Sequence, residues 1–134
     1  MDRKDFILKT CAACGVTSAL LFIDGCSKTN DYSRSFNFTV DLTASSSAAL
    51  NNVGGYILSN DAIVMRTSTG YSALSLICTH QGCNVGYYST SQRFICPCHG
   101  GAFDINGSVV SGPPPAPLQK LTVTQNGNVL TVTS

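Results

Sequence analysis

From Phe36 onward the chain is patterned for strands. Phe36, Phe38, Val40 and Leu42 alternate with polar neighbours, the period of two that marks a strand with one buried face. Tyr56–Ser59, Ala62–Arg66 and Tyr71–Ile77 predict three more strands, separated by Asn60-Asp61 and Ser68-Thr69-Gly70. Val85–Tyr88 and Arg93–Ile95 form a hairpin across Ser89–Gln92. Ala102–Asp104 and Val109–Val110 flank the turn Ile105–Ser108. Leu118–Thr124 and Asn128–Thr133 close the chain as a hairpin through Asn126-Gly127, a strong turn pair. Thr43–Asn52 reads as a Ser/Ala loop and Val53-Gly54-Gly55 as a turn, and no repeat, phosphate loop or amphipathic helix stands out. The expectation is an all-β domain over 36–134, a small antiparallel sandwich or partly open barrel.

The first part of the chain is different in kind. Arg3, Lys4 and Lys9 precede a short apolar run, Cys11–Ile23, that ends at Asp24-Gly25-Cys26. The run falls short of the about 20 residues that span a bilayer, so 1–26 reads as an export signal and 27–35 as a polar tether. Arg3-Lys4-Asp5-Phe6-Ile7-Leu8-Lys9 resembles a twin-arginine signal with lysine in the second place, and Gly25-Cys26 resembles the end of a lipobox, which makes Cys26 the candidate for lipidation. Cys11 and Cys14 read as small residues of a removed signal. The expected location is the bacterial periplasm or cell envelope, attached to the membrane by that lipid or by a partner.

Charge narrows the function. Only 11% of residues are charged and the net charge is +1, which argues against a nucleic-acid footprint. The chain has two histidines and seven cysteines, and both histidines and four cysteines fall in two short stretches, Cys78-Thr79-His80-Gln81-Gly82-Cys83 and Cys96-Pro97-Cys98-His99-Gly100-Gly101. Two thiolates and two imidazoles suit a structural zinc or an iron–sulfur cluster. A zinc knuckle usually pairs cysteines with cysteines and histidines with histidines, whereas each stretch here offers one of each. That divides between two metal atoms, Cys78 and Cys96 on one iron and His80 and His99 on the other, as in a Rieske [2Fe-2S] centre.

These residues resemble the Rieske iron–sulfur proteins, whose paired signature, C-x-H-x-G-C and C-P-C-H-G, stands here without substitution. The resemblance implies the Rieske type of β fold with a cluster-binding subdomain made of two loops. It also implies one [2Fe-2S] cluster per chain, held by Cys78, His80, Cys96 and His99. Cys83 and Cys98 are read as following a ligand at the same loop position, so a disulfide between them is expected, the mark of respiratory-type members and of an oxidising compartment. Gly112-Pro113-Pro114-Pro115-Ala116-Pro117 cannot join a sheet ladder. By the resemblance it folds over the cluster, with Gly112, Pro113, Pro114 and Pro115 as the cover. High-potential members carry serine and tyrosine hydroxyls where Gly101 and Phe103 stand here, so these two positions are expected to tune the potential downward. Gly101 is further expected in a turn of positive φ.

Exposed edges of His80 and His99 would give an electron a short way out. The expected function is one-electron transfer, as an exported protein or as the small subunit of a membrane-side oxidoreductase. The alternatives are the Rieske subunit of a cytochrome bc-type quinol-oxidising complex, and a cluster serving as structural staple or redox sensor in a binding module. No base, nucleophile or substrate pocket is assignable, so the chain is read as no enzyme by itself. The expected partners are redox proteins: a quinol-oxidising or molybdenum subunit, or a c-type cytochrome.

Overall fold

The computed structural model describes residues 33–134; the expected signal, with Cys11, Cys14 and Cys26, and most of the tether lie outside the described residues. Among the described residues no helix is long and apolar enough to cross a membrane. Among these same residues ten strands make two antiparallel sheets. The larger contains β1 (Asn37–Asp41), β2 (Tyr56–Ser59), β3 (Ala62–Arg66), β4 (Tyr71–Ser75), β9 (Lys120–Asn126) and β10 (Val129–Thr133), in the order β1-β10-β9-β4-β3-β2. The smaller, in the order β5-β6-β7-β8, contains β5 (Gly86–Tyr88), β6 (Arg93–Ile95), β7 (Ala102–Phe103) and β8 (Val109–Ser111).

The two faces of β3 explain the architecture. Ala62, Val64 and, on the neighbouring strand, Ala73 join Phe36, Val40, Leu50, Leu121, Leu130 and Val132 in a core enclosed by the curled larger sheet. Ile63 and Met65 point the other way and, with Leu74 and Leu76, pack against Val85, Phe94, Phe103 and Leu118 of the smaller unit. A strand covered on both faces must be apolar throughout, and this accounts for the run Ala-Ile-Val-Met in place of alternation.

The predicted strands are present, with three departures. The expected loop 43–52 contains a 3₁₀ segment, Ser45–Asn51. Asp41 accepts hydrogen bonds from the backbone N–H and the hydroxyl of Thr43, Ser47 donates to the carbonyls of Asp41 and Ala44, and fully buried Leu50 plugs the core. The fourth strand stops at Ser75, two residues early, because the Ser75 hydroxyl accepts from the Ile77 N–H at 3.1 Å and bends the chain. The ninth begins at Lys120, since Leu118 is still tied to the smaller unit by its N–H on the Gly107 carbonyl.

Candidate metal centre

The two cysteine–histidine stretches are conformational copies. The Cys78 N–H donates to the Cys83 carbonyl and the Gly82 N–H returns to the Cys78 carbonyl, at 2.7 and 3.0 Å. In the second stretch Cys96 bonds to Gly101 and Gly100 returns to Cys96, at 2.8 and 2.9 Å. Each loop needs a left-handed residue at its fifth position, supplied by Gly82 at φ 74° and Gly100 at φ 72°. The two loops do not spring from one end of a single sheet. Instead the first leads from β4 of the larger sheet into β5 of the smaller, and the second joins β6 to β7.

Cys83 and Cys98 are disulfide-bonded, S–S 2.00 Å, as expected, but not by the expected route. In the common hydrogen-bond register Cys83 is equivalent to Gly101, and Cys98 to His80. The bridge therefore crosses between unlike loop positions, and the histidines also come from unlike positions. Only Cys78 and Cys96 are true equivalents.

Those two thiols are free and buried, 1% and 3% exposed, in the core shared with Phe94 and Phe103. Burial pushes the Cys78 thiol up, and its contact with the Cys96 thiol adds to this, while the backbone N–H groups of His80 and Gln81 pull it down. A bare thiolate is thus disfavoured there, although backbone donors already point at its sulfur. The His80 and His99 rings meet edge to face, centroids 4.9 Å apart. His80 Nδ1 is buried with no hydrogen-bond partner, an arrangement that costs free energy unless the nitrogen is ligated. The residues fit a metal group that takes two sulfurs and two nitrogens. Sγ atoms of Cys83, Cys96 and Cys98 also lie within 4.8 Å of one another, but a disulfide sulfur is no thiolate, so only Cys96 of these three can ligate while the bridge stands.

The proline segment lies against both loops. The Thr79 hydroxyl donates to the Ala116 carbonyl at 2.6 Å. A Cβ on Gly101 would come within 2.5 Å of Pro114 Cγ and Cδ. Gly101 is therefore dictated by this close approach, whereas the positive φ expected of it belongs to Gly100. Phe103 is fully buried and pairs with Phe94 across β6 and β7. Thr79 and Ser75, as supports of the loops, carry no sequence signal of their own beyond lying next to the motifs.

An all-β domain that presents two matched loops with two thiols and two imidazoles defines the class: a small iron–sulfur or zinc protein. Residues 39–122 match the Rieske [2Fe-2S] domain. The chain belongs to that family, and its cofactor is a [2Fe-2S] cluster. It is 43% identical over 70 residues to a carotenoid phi-ring synthase of Chlorobaculum tepidum, covering 52% of this chain and 11% of that protein. To the cytochrome b6-f complex iron-sulfur subunit of Chlorobaculum thiosulfatiphilum it is 38% identical over 58 residues, 43% of this chain and 32% of that one. The chain thus spans a third or less of the length of these relatives. Among solved structures it resembles the plasma membrane Rieske protein of Synechocystis PCC 6803, at TM-score 0.50 and 30% identity, over 60% of this chain and 85% of that one. A hyperthermophilic respiratory Complex III chain shares the fold at TM-score 0.54 and 22% identity, covering 95% of this chain and 91% of that chain.

Proposed function

We propose that the domain is a one-electron carrier whose cluster is held by Cys78 and Cys96 on one side and His80 and His99 on the other. The observation that carries this reading is the buried, unpartnered Nδ1 of His80, in a ring set against His99 at a site whose two free thiols are also buried. When bound, the cluster supplies a one-electron couple, raised in potential by exchanging two thiolates for neutral imidazoles. The chain's own residues do the rest. Cys78 and Cys96 form the floor, anchored in the core. The exposed His99 marks the face through which electrons pass to a partner. The disulfide and the Thr79–Ala116 bond hold the loops and the proline segment together, keeping water from the sulfur side.

The likeness to b6-f iron-sulfur subunits supports a place as the Rieske subunit of a bc-type complex, beside the reading as an exported carrier or small subunit of another membrane-side oxidoreductase. On either reading the chain passes electrons and transforms no substrate itself. Residues 1–26 are proposed to direct export, with lipid on Cys26. Film voltammetry of the holoprotein tests the central reading: a fast, reversible one-electron wave is expected, which a cluster that acts only as a staple does not need. Co-purification with a cytochrome b or a molybdenum subunit separates the two assemblies, and membrane release of Cys26→Ala checks the lipid.

A further inference from the structure

The end of the tether is fastened to the domain. The Arg34 N–H donates to the Gln119 side-chain oxygen at 3.2 Å, and the Gln119 amide returns to the Arg34 carbonyl at 3.1 Å. The Arg34 guanidinium donates to Asp61 Oδ2 and lies 6.0 Å from the centre of the Phe36 ring. The same Asp61 reaches the base of the first ligand loop. Its Oδ1 accepts from the Asn84 side chain at 3.3 Å, and its carbonyl accepts from the Leu76 N–H at 2.8 Å. Asn84 and Ile77 face each other as an isolated bridge that closes residues 78–83, so Asp61 holds both stems of that loop. We propose that Arg34 is a latch: by pairing with Asp61 it keeps that carboxylate on Asn84, so that release of the tether and opening of the first ligand loop go together.

The turn that carries Asp61 supports a purpose for its carboxylate. Ser59 and Ala62 pair across a hairpin turn whose central residues, Asn60 and Asp61, are both left-handed, at φ 52° and 59°. Such a turn prefers Asn-Gly, and an aspartate in the glycine place bears a steric cost that glycine would not. The side chain that bears this cost is the one that joins Arg34 to Asn84. The ion pair is partly exposed, 55% on Arg34 and 38% on Asp61, so it is weak and screened by salt, as a latch that opens must be. Because one carboxylate serves both contacts, the coupling is reciprocal: what frees Arg34 loosens the loop, and what loosens the loop frees Arg34.

The loop half of the proposal rests on the cluster reading; the tether half does not. Trypsin reads the tether directly, because it must take up the Arg34 side chain to cut before Ser35, and its rate follows the open population when opening is fast. In the full-chain holoprotein, Asp61→Gly relieves the turn and removes the carboxylate. Cutting after Arg34 should then speed about twofold to fivefold, the span an exposed ion pair supplies, while cutting after Arg66, at the end of β3, stays at the parent rate. Arg34→Gln acts on the loop only through Asp61, yet it should speed bleaching of the cluster by a chelator about twofold. Arg34→Lys should restore much of the parent rate, and about 1 M salt, where the screening length is about 3 Å, should remove the difference. Asn84→Ala should speed cutting after Arg34 by the factor that Arg34→Gln gives in bleaching. The proposal is overturned if Arg34→Gln bleaches at the parent rate, or if Asp61→Gly or Asn84→Ala is cut after Arg34 no faster than the parent. A parent chain with no cluster to bleach overturns the cluster reading instead, and the trypsin comparisons still decide the latch.

Discussion

At the residue scale the site depends on what two positions lack. Gly101 has no side chain because Pro114 occupies the space one would need. Gly101→Ala should cost about 1–3 kcal/mol, as overpacking does, and Pro114→Ala should restore much of that loss. Gly100→Ala, strained at φ 72° but facing open space, should cost about 1–2 kcal/mol without such rescue. Denaturant unfolding of the three single and two double variants measures both couplings. Phe103 fills its place with no hydroxyl to offer, and its ring lies in the core that holds Cys78 and Cys96. Phe103→Tyr adds one donor next to the sulfur side. A hydrogen bond to a charged group is worth about 1.5–3 kcal/mol, and only the difference between redox states reaches the potential, so a rise on the order of tens of millivolts is expected. An unchanged or lower potential in voltammetry, with the cluster intact, would show that the hydroxyl meets no cluster or ligand sulfur.

At the scale of elements, the strands were legible because alternation and turn residues are local signals. The 3₁₀ segment was not, since Ser45–Asn51 is fixed by Asp41 and by Leu50 entering a distant core. The two cysteine–histidine loops were legible from the rarity of histidine and the spacing of the cysteines. The loop symmetry was not, because it resides in backbone hydrogen bonds, where Cys83 matches Gly101 and not Cys98. The expected disulfide thus joins two positions that are not equivalent. That bridge spans a separation of 15 residues, for which chain entropy gives about 3 kcal/mol of stabilisation. Cys98→Ser should lower stability by up to that amount and hasten cluster bleaching under a chelator, which absorbance with time will follow. Equal bleaching rates in parent and variant would contradict the clamp.

At the scale of the whole molecule, two cores on opposite faces of β3 hold the loop-bearing unit against the half-barrel. Stretches 78–84, 96–101 and 109–118 contain no Asp, Lys or Arg, and the chain has no Glu. Electron exchange at the histidine face should therefore depend weakly on ionic strength. Stopped-flow oxidation by a small anionic and a small cationic oxidant checks this, since a charged rim would give steep slopes of opposite sign. The central claim, that two sulfurs and two nitrogens of Cys78, Cys96, His80 and His99 hold the cluster, is tested most directly by pulsed electron paramagnetic resonance of the reduced holoprotein with ¹⁵N-labelled histidine. The account predicts hyperfine coupling to two histidine nitrogens. A paramagnetic cluster with no coupled histidine nitrogen, or a protein that carries zinc and gives no signal as isolated, would contradict it.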